Sequence, residues 1–393
     1  MRRRFLSSIN KEQIDLTKNY FSIEALEDGL TAKLSNNACE YCVDNDGNWK
    51  SLTVNVYTTP INKGQTLSFR GNLTPTSSNG IGTFTISKKC NVKGNIMSLL
   101  YGDDFEGQTD LSGKRYAFYK LFYNCNNIVE ASELILPATT LANYCYYYMF
   151  RGCSNLVDAP ELPATTLANY CYFNMFYGCS NLVDAPELPA TTLASYCYSN
   201  MFGGCTSLTT APKLPATTLA DGCYSSMFEN CTSLTTAPVL PATTLASYCY
   251  SNMFGGCTSL VDAPELPATT LANNCYKYMF GDCTSLVDAP ELLATTLKIE
   301  CYSNMFGGCT SLVNAPALLA TKLSENCYEY MFQGCSKLNN ITMLATDISA
   351  SDCLYYWVNG VASNGTFTKN PSMTSLPNGV SGIPSGWTVV NYV

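Results

Sequence analysis

The sequence contains no histidine. That absence removes Ser-His-Asp and Cys-His catalysis, histidine-ligated zinc and the facial-triad iron sites. Charge is scarce too. Asp, Glu, Lys and Arg make up 13% of 393 residues, about half the usual share of roughly 25%. The surface must then be covered largely by Thr, Ser, Asn and Tyr. Net charge is −8 and the one basic cluster is the opening MRRRF. This argues against nucleic acid or an anionic membrane as the main partner, since phosphate binding needs clustered cations, and no membrane insertion is expected. No apolar run approaches the ~18 residues of a membrane span. The opening segment starts basic but has no apolar stretch, so it does not read as a secretory signal.

Cysteine is plentiful, with 21 residues, and it is periodic. One series runs Cys145, Cys171, Cys197, Cys223, Cys249, Cys275, Cys301, Cys327 and Cys353, with steps of 26. A second runs from Cys153 to Cys335 with the same step, preceded by Cys125 two residues out of register. The array spans about Tyr116 to about Gly360. In one unit, residues 205–231, the constant apolar set is Leu208, Ala211, Leu214, Leu219, Cys223, Met227, Phe228 and Cys231. Variable polar residues lie between them. Pro212 and Pro215 bracket Lys213-Leu214 and push their predecessors to extended geometry. The segment SLTTAPKL is therefore expected as a short strand and LADGCYSSMF as a turn or short helix. No unit can bury its own face, so neighbours must stack into a solenoid. Nine coils at the parallel-strand spacing of about 4.8 Å give a rod roughly 40–45 Å long.

The pattern LPATTL…CYxxMFxGCTSL resembles the leucine-rich repeats of BspA-like surface proteins, of the 26-residue type found in gut Bacteroides and their phages. Residues 64–105 resemble the segment that precedes such arrays. The resemblance implies a right-handed leucine-rich-repeat solenoid in a non-enzymatic, surface-exposed binding or adhesion protein, and it supplies no ligand.

Three readings of the cysteines compete. A metal site needs thiols converging from different segments, whereas each series forms a row of one per coil. A disulfide is allowed by the spacing between coils, but side chains in a row point the same way. The third reading is a small buried hydrophobe. It fits Ala117, which occupies the first cysteine position of the opening unit. The cysteines read as core, as do Met149-Phe150 and their copies; no cofactor is expected.

The flanks read differently. Residues 1–19 form an arm, and 20–105 alternate like a small β-sandwich. EYCVDNDGNWKSLTV is expected as a hairpin with Asp46-Gly47 at its tip. Cys39 and Cys42 make a lone CxxC whose members fall on opposite strand faces. Asp44, Asp46 and Asn48 match a calcium loop poorly, because Gly47 is two places early. Residues 106–360 are the solenoid. Residues 361–393 lose the period and read as a β cap containing the strand GWTVVNY.

Aligned coils put variable positions into columns. One holds Tyr170, Tyr196 and Tyr248; its neighbour holds Asn174, Asn200, Asn252, Tyr278 and Tyr330. Tyr and Asn supply rigid aromatic area and adaptable hydrogen bonds, as in many paratopes. These columns suit an extended partner, a host or bacterial surface glycan or protein. The expected carrier is a phage virion, as a tail or head fibre or decoration, docked on other virion proteins through its N-terminal region. A bacterial cell-surface adhesin and a purely structural spacer are the alternatives. A homo-oligomer is compatible with either carrier. An enzyme is disfavoured: Asp184, Glu187, Asp262, Glu265, Asp288 and Glu291 repeat with the coil, whereas a catalytic carboxylate pair should break the repeat.

Overall fold

The computed structural model describes residues 15–393, so most of the expected arm lies outside the described residues. Seven strands come first: β1 (Phe21–Ala25), β2 (Ala32–Leu34), β3 (Cys39–Val43), β4 (Lys50–Leu52), β5 (Thr66–Arg70), β6 (Phe84–Ile86) and β7 (Cys90–Asn95). A single helical turn, α1 (Ser98–Tyr101), follows. In β1, Phe21, Ile23 and Ala25 are buried, while Ser22 turns the other way and shares a 2.8 Å hydrogen bond with Ser68. This is the two-residue period of a strand.

The sheet does not stop where the coils begin. Its order is β4-β3-β5-β1-β7-β8, where β8 is Ile128–Glu130 in the first coil, and β9 (Leu134–Ile135) also pairs with β7. The pairings are antiparallel up to β7; β8 and β9 join it in parallel. Phe122 of the first coil packs against Phe21 at 5.7 Å and Phe84 at 6.0 Å. The apolar interior is therefore continuous across residue 105. β2 and β6 form a separate two-stranded ladder.

The hairpin between β3 and β4 has a wider tip than the expected two-residue turn. Tyr41 pairs with Lys50, leaving 42–49 outside that last rung. Asp44, Asn45 and Gly47 all take positive φ. The carboxylates serve the loop itself: Asp44 accepts from the Thr66 N–H at 2.8 Å, and Asp46 from the Asn48 N–H at 2.9 Å.

The repeat units contain no helix. In residues 170–179, the N–H groups of Tyr170, Tyr172, Asn174, Phe176 and Gly178 donate to carbonyls of the next coil at 2.8–3.0 Å. Those of Cys171, Phe173, Met175, Tyr177 and Cys179 donate to carbonyls three residues back. Every backbone N–H of this stretch is thus satisfied, and a helix cannot form because alternate N–H groups are committed to a neighbour. The expected strand shrinks to single bridges such as Thr210↔Thr236. Pro212 and Pro215 lack the donors that would extend it.

Inside, the side chains stack in rows. Phe176–Phe202 and Phe202–Phe228 centroids lie 5.7 Å apart, and Tyr172–Tyr198 5.8 Å. Each fully buried Met or Phe contributes roughly 1.5–3 kcal/mol. All 21 cysteines are buried and free. The second series does more than fill space: Sγ of Cys205 donates to the carbonyl of Phe176 at 3.2 Å, and Cys153, Cys179 and Cys231 repeat the bond one coil apart.

The winding continues where the sequence period fades. β10 (Asn340–Met343), β11 (Thr366–Lys369) and β12 (Thr388–Asn391) are parallel and in register, Asn340↔Thr366↔Thr388. Trp357 takes the place of the aromatic core, 6.1 Å from Phe332, and its indole N–H donates to Gly382. The expected loss of period at 361 is thus a loss of sequence pattern, while the parallel register persists.

Candidate binding surface

The turns of each coil carry a conformational requirement. In every second turn the third residue has positive φ, as a type II turn requires: Tyr170 at 58°, Asn174 at 54° and Gly178 at 73°. The same three positions recur in each coil, for example Tyr248, Asn252 and Gly256. Asn and Gly tolerate this region, whereas Tyr does so rarely.

This corrects the expectation for the columns. All eight candidate residues, Tyr170, Tyr196, Tyr248, Asn174, Asn200, Asn252, Tyr278 and Tyr330, sit at these left-handed positions. The asparagines are accounted for by the backbone they allow, and Asn174 is buried at 5% exposure, not displayed outward. Asn200 and Asn252 are half-buried. Tyr248 stands alone at 43% exposure. Tyr278 donates its hydroxyl to Asp282. Tyr330 packs with Tyr355 and Tyr356, at 5.4 and 6.2 Å. Among the eight, only the rings of Tyr170 and Tyr196 stack on each other, at 5.0 Å with planes 4° apart.

That pair is the end of a longer ladder. Tyr116, Tyr144, Tyr170 and Tyr196 stack face to face at 4.8, 5.1 and 5.0 Å. A second ladder, Tyr119, Tyr147 and Phe173, runs beside it at 5.5 and 4.8 Å. Burial between rings pushes the Tyr144 and Tyr170 phenols above their usual pKa. The 26-residue step back from Tyr170 reveals Tyr144 in the sequence, and the two-residue offset that aligns Cys145 with Ala117 reveals Tyr116.

Cations border the ladders. Arg115 lies over Tyr116 at 5.6 Å, Lys120 over Tyr148 at 5.7 Å and Arg151 over Tyr148 at 4.8 Å. The proline-rich edge offers shallow grooves instead, one of about 450 Å³ between Glu265 and Glu291. Asp262 and Asp288 stack in register along that edge, so the carboxylates follow the coil. Among the described residues no helix is long and apolar enough to cross a membrane.

No curated protein and no solved structure matches the chain. The family model for the BspA type leucine-rich repeat region matches in six copies, over residues 116–261 and 269–359. With more than half of its length covered and the coils wound as described, the chain belongs to the BspA-type leucine-rich-repeat family.

Proposed function

We propose that the chain is a non-enzymatic, surface-displayed binding protein whose turn face engages an extended partner. The observation that supports this reading is the in-register stacking of Tyr116, Tyr144, Tyr170 and Tyr196 on a half-buried surface. Stacked rings are already ordered, so little side-chain entropy is lost when a partner arrives. The family resemblance points the same way. The finer reading is a virion fibre or decoration protein, held by its N-terminal region and recognising a host surface glycan or protein.

Adsorption of the labelled full chain to intact cells tests the binding role; a chain that adsorbs to no cell type would remove it. Quantitative mass spectrometry of purified particles and washed cells tests the carrier. Fixed stoichiometry in particles supports the virion reading, and presence on cells alone replaces it with the adhesin.

A further inference from the structure

We infer that the tyrosine ladders and their flanking cations form a subsite for an anionic polysaccharide, of the polyuronate or sulfated class. The inference rests on the binding role proposed above and names the ligand chemistry.

Charge is the first argument. The chain is acidic overall, with net charge −8, yet Arg115, Lys120 and Arg151 collect on one aromatic face. Among the described residues none of the three forms a salt bridge, whereas Arg70, Lys93, Lys277 and Lys322 do. Their positions are held by rings instead: Lys120 faces Tyr119, Tyr123 and Tyr148, and Arg151 faces Tyr148 and Tyr177. Guanidinium groups so placed keep free donors for a carboxylate or sulfate.

Spacing is the second argument. The hydroxyls of Tyr116, Tyr144, Tyr170 and Tyr196 have no hydrogen-bond partner among the described residues, although the rings repeat every 4.8–5.1 Å. That repeat is close to the advance of one pyranose unit along an extended glycan. An extended peptide presents same-face side chains roughly 6.6–6.8 Å apart and falls out of register within the ladder. Single-stranded nucleic acid binds by stacking bases on open ring faces. Here the faces are covered by one another, and rims and hydroxyls remain to meet the ligand. Hydrogen-bonding rims with neighbouring cations suit a polyhydroxylated anion.

The test titrates the full chain with oligogalacturonate, a neutral β-glucan oligosaccharide, polyglutamate and oligothymidylate, at low and raised salt. Variants are Arg115→Gln with Arg151→Gln, and Tyr144→Asn with Tyr170→Asn. Asparagine already occupies this left-handed column at Asn274 and Asn326, so the second pair keeps the backbone. Tyr248→Asn is the control, and thermal unfolding checks each fold. We expect oligogalacturonate to bind, to weaken with salt, and to lose about tenfold or more in affinity in both double variants but not in the control. Tighter binding of polyglutamate, oligothymidylate or the neutral glucan overturns the inference, as does full affinity in either double variant. Failure to bind oligogalacturonate by a chain that still adsorbs to cells overturns this inference alone; loss of both removes the binding role as well.

Discussion

Gly222 ends the tyrosine ladder: a Cβ built there would meet Cε1 of Tyr196 at 2.2 Å. The ring of Tyr196 fills the space that the next rung of the column would need, and Gly222 itself has φ of 59°. Gly222→Ala must therefore displace the ring and strain the backbone. We expect a stability loss of about 1–2 kcal/mol together with a changed near-ultraviolet tyrosine signal. An unchanged signal would show that Tyr196 does not rest on Gly222.

Asn252 serves the backbone, with φ of 57° in the central coils. Asn252→Gly should stay within a few tenths of a kcal/mol of the parent, while Asn252→Val should cost about 1–2 kcal/mol, because a branched Cβ is worst placed in the left-handed region. Urea midpoints of the two variants decide the matter; equal losses would mean that the Asn side chain, not the conformation, is what counts.

Cys205 combines a fully buried thiol with a bond to the Phe176 carbonyl. Cys205→Ala removes both the volume and the weak donor, for an expected cost of about 1–2 kcal/mol. In the native chain no thiol should react with a bulky alkylating reagent, whereas all 21 should react in denaturant. Rapid labelling of several thiols under native conditions would contradict the packing described.

Alkaline pH should unfold the solenoid. Burial pushes Cys171, Cys223 and Cys275 up to about 12, whereas an unfolded thiol ionises near ~8.5. Since the folded pKa is the higher one, this stabilisation is whole below about 8.5 and is lost as pH rises toward about 12. Each such thiol removes about 1.4 kcal/mol per pH unit inside that window, and the effect repeats coil after coil. The urea midpoint should hold steady from about pH 6 to 8 and fall steeply above about 9. A flat profile to pH ~10 would rule out this linkage.

Tyr198 hides a hydroxyl without a partner among the described residues, as do Tyr146 and Tyr250. Tyr198→Phe deletes an unsatisfied buried group and should leave stability unchanged or raise it by up to about 1–2 kcal/mol. A clear loss would reveal a partner for that hydroxyl.

Much of this architecture was legible in the residues. The spacing of Cys171, Cys197 and Cys223 set the coil length, and the constant Met175 and Phe176 marked the interior, because a stack repeats the same environment every turn. The site was legible only in part. Tyr170 and Tyr196 stood out as a column that the same 26-residue step extends to Tyr144, but Tyr116 was concealed by a longer first unit. Asn174 looked like a displayed contact residue and is buried. Sequence variability does not distinguish a position facing solvent from one constrained only by its φ angle.

The sequence by itself determined the solenoid, its 26-residue turn and the burial of its cysteines, since apolar periodicity is a local pattern read along the chain. Tertiary structure alone decided three things. Alternate N–H groups of each coil bond to the next, which replaces helix by turns. The sheet and interior of the N-terminal region run on into the first coil, through β7 and Phe122. Arg115, Lys120 and Arg151 gather on the stacked tyrosines. Each depends on contacts between residues about 26 or more positions apart, and such pairings exist only once the coils have stacked.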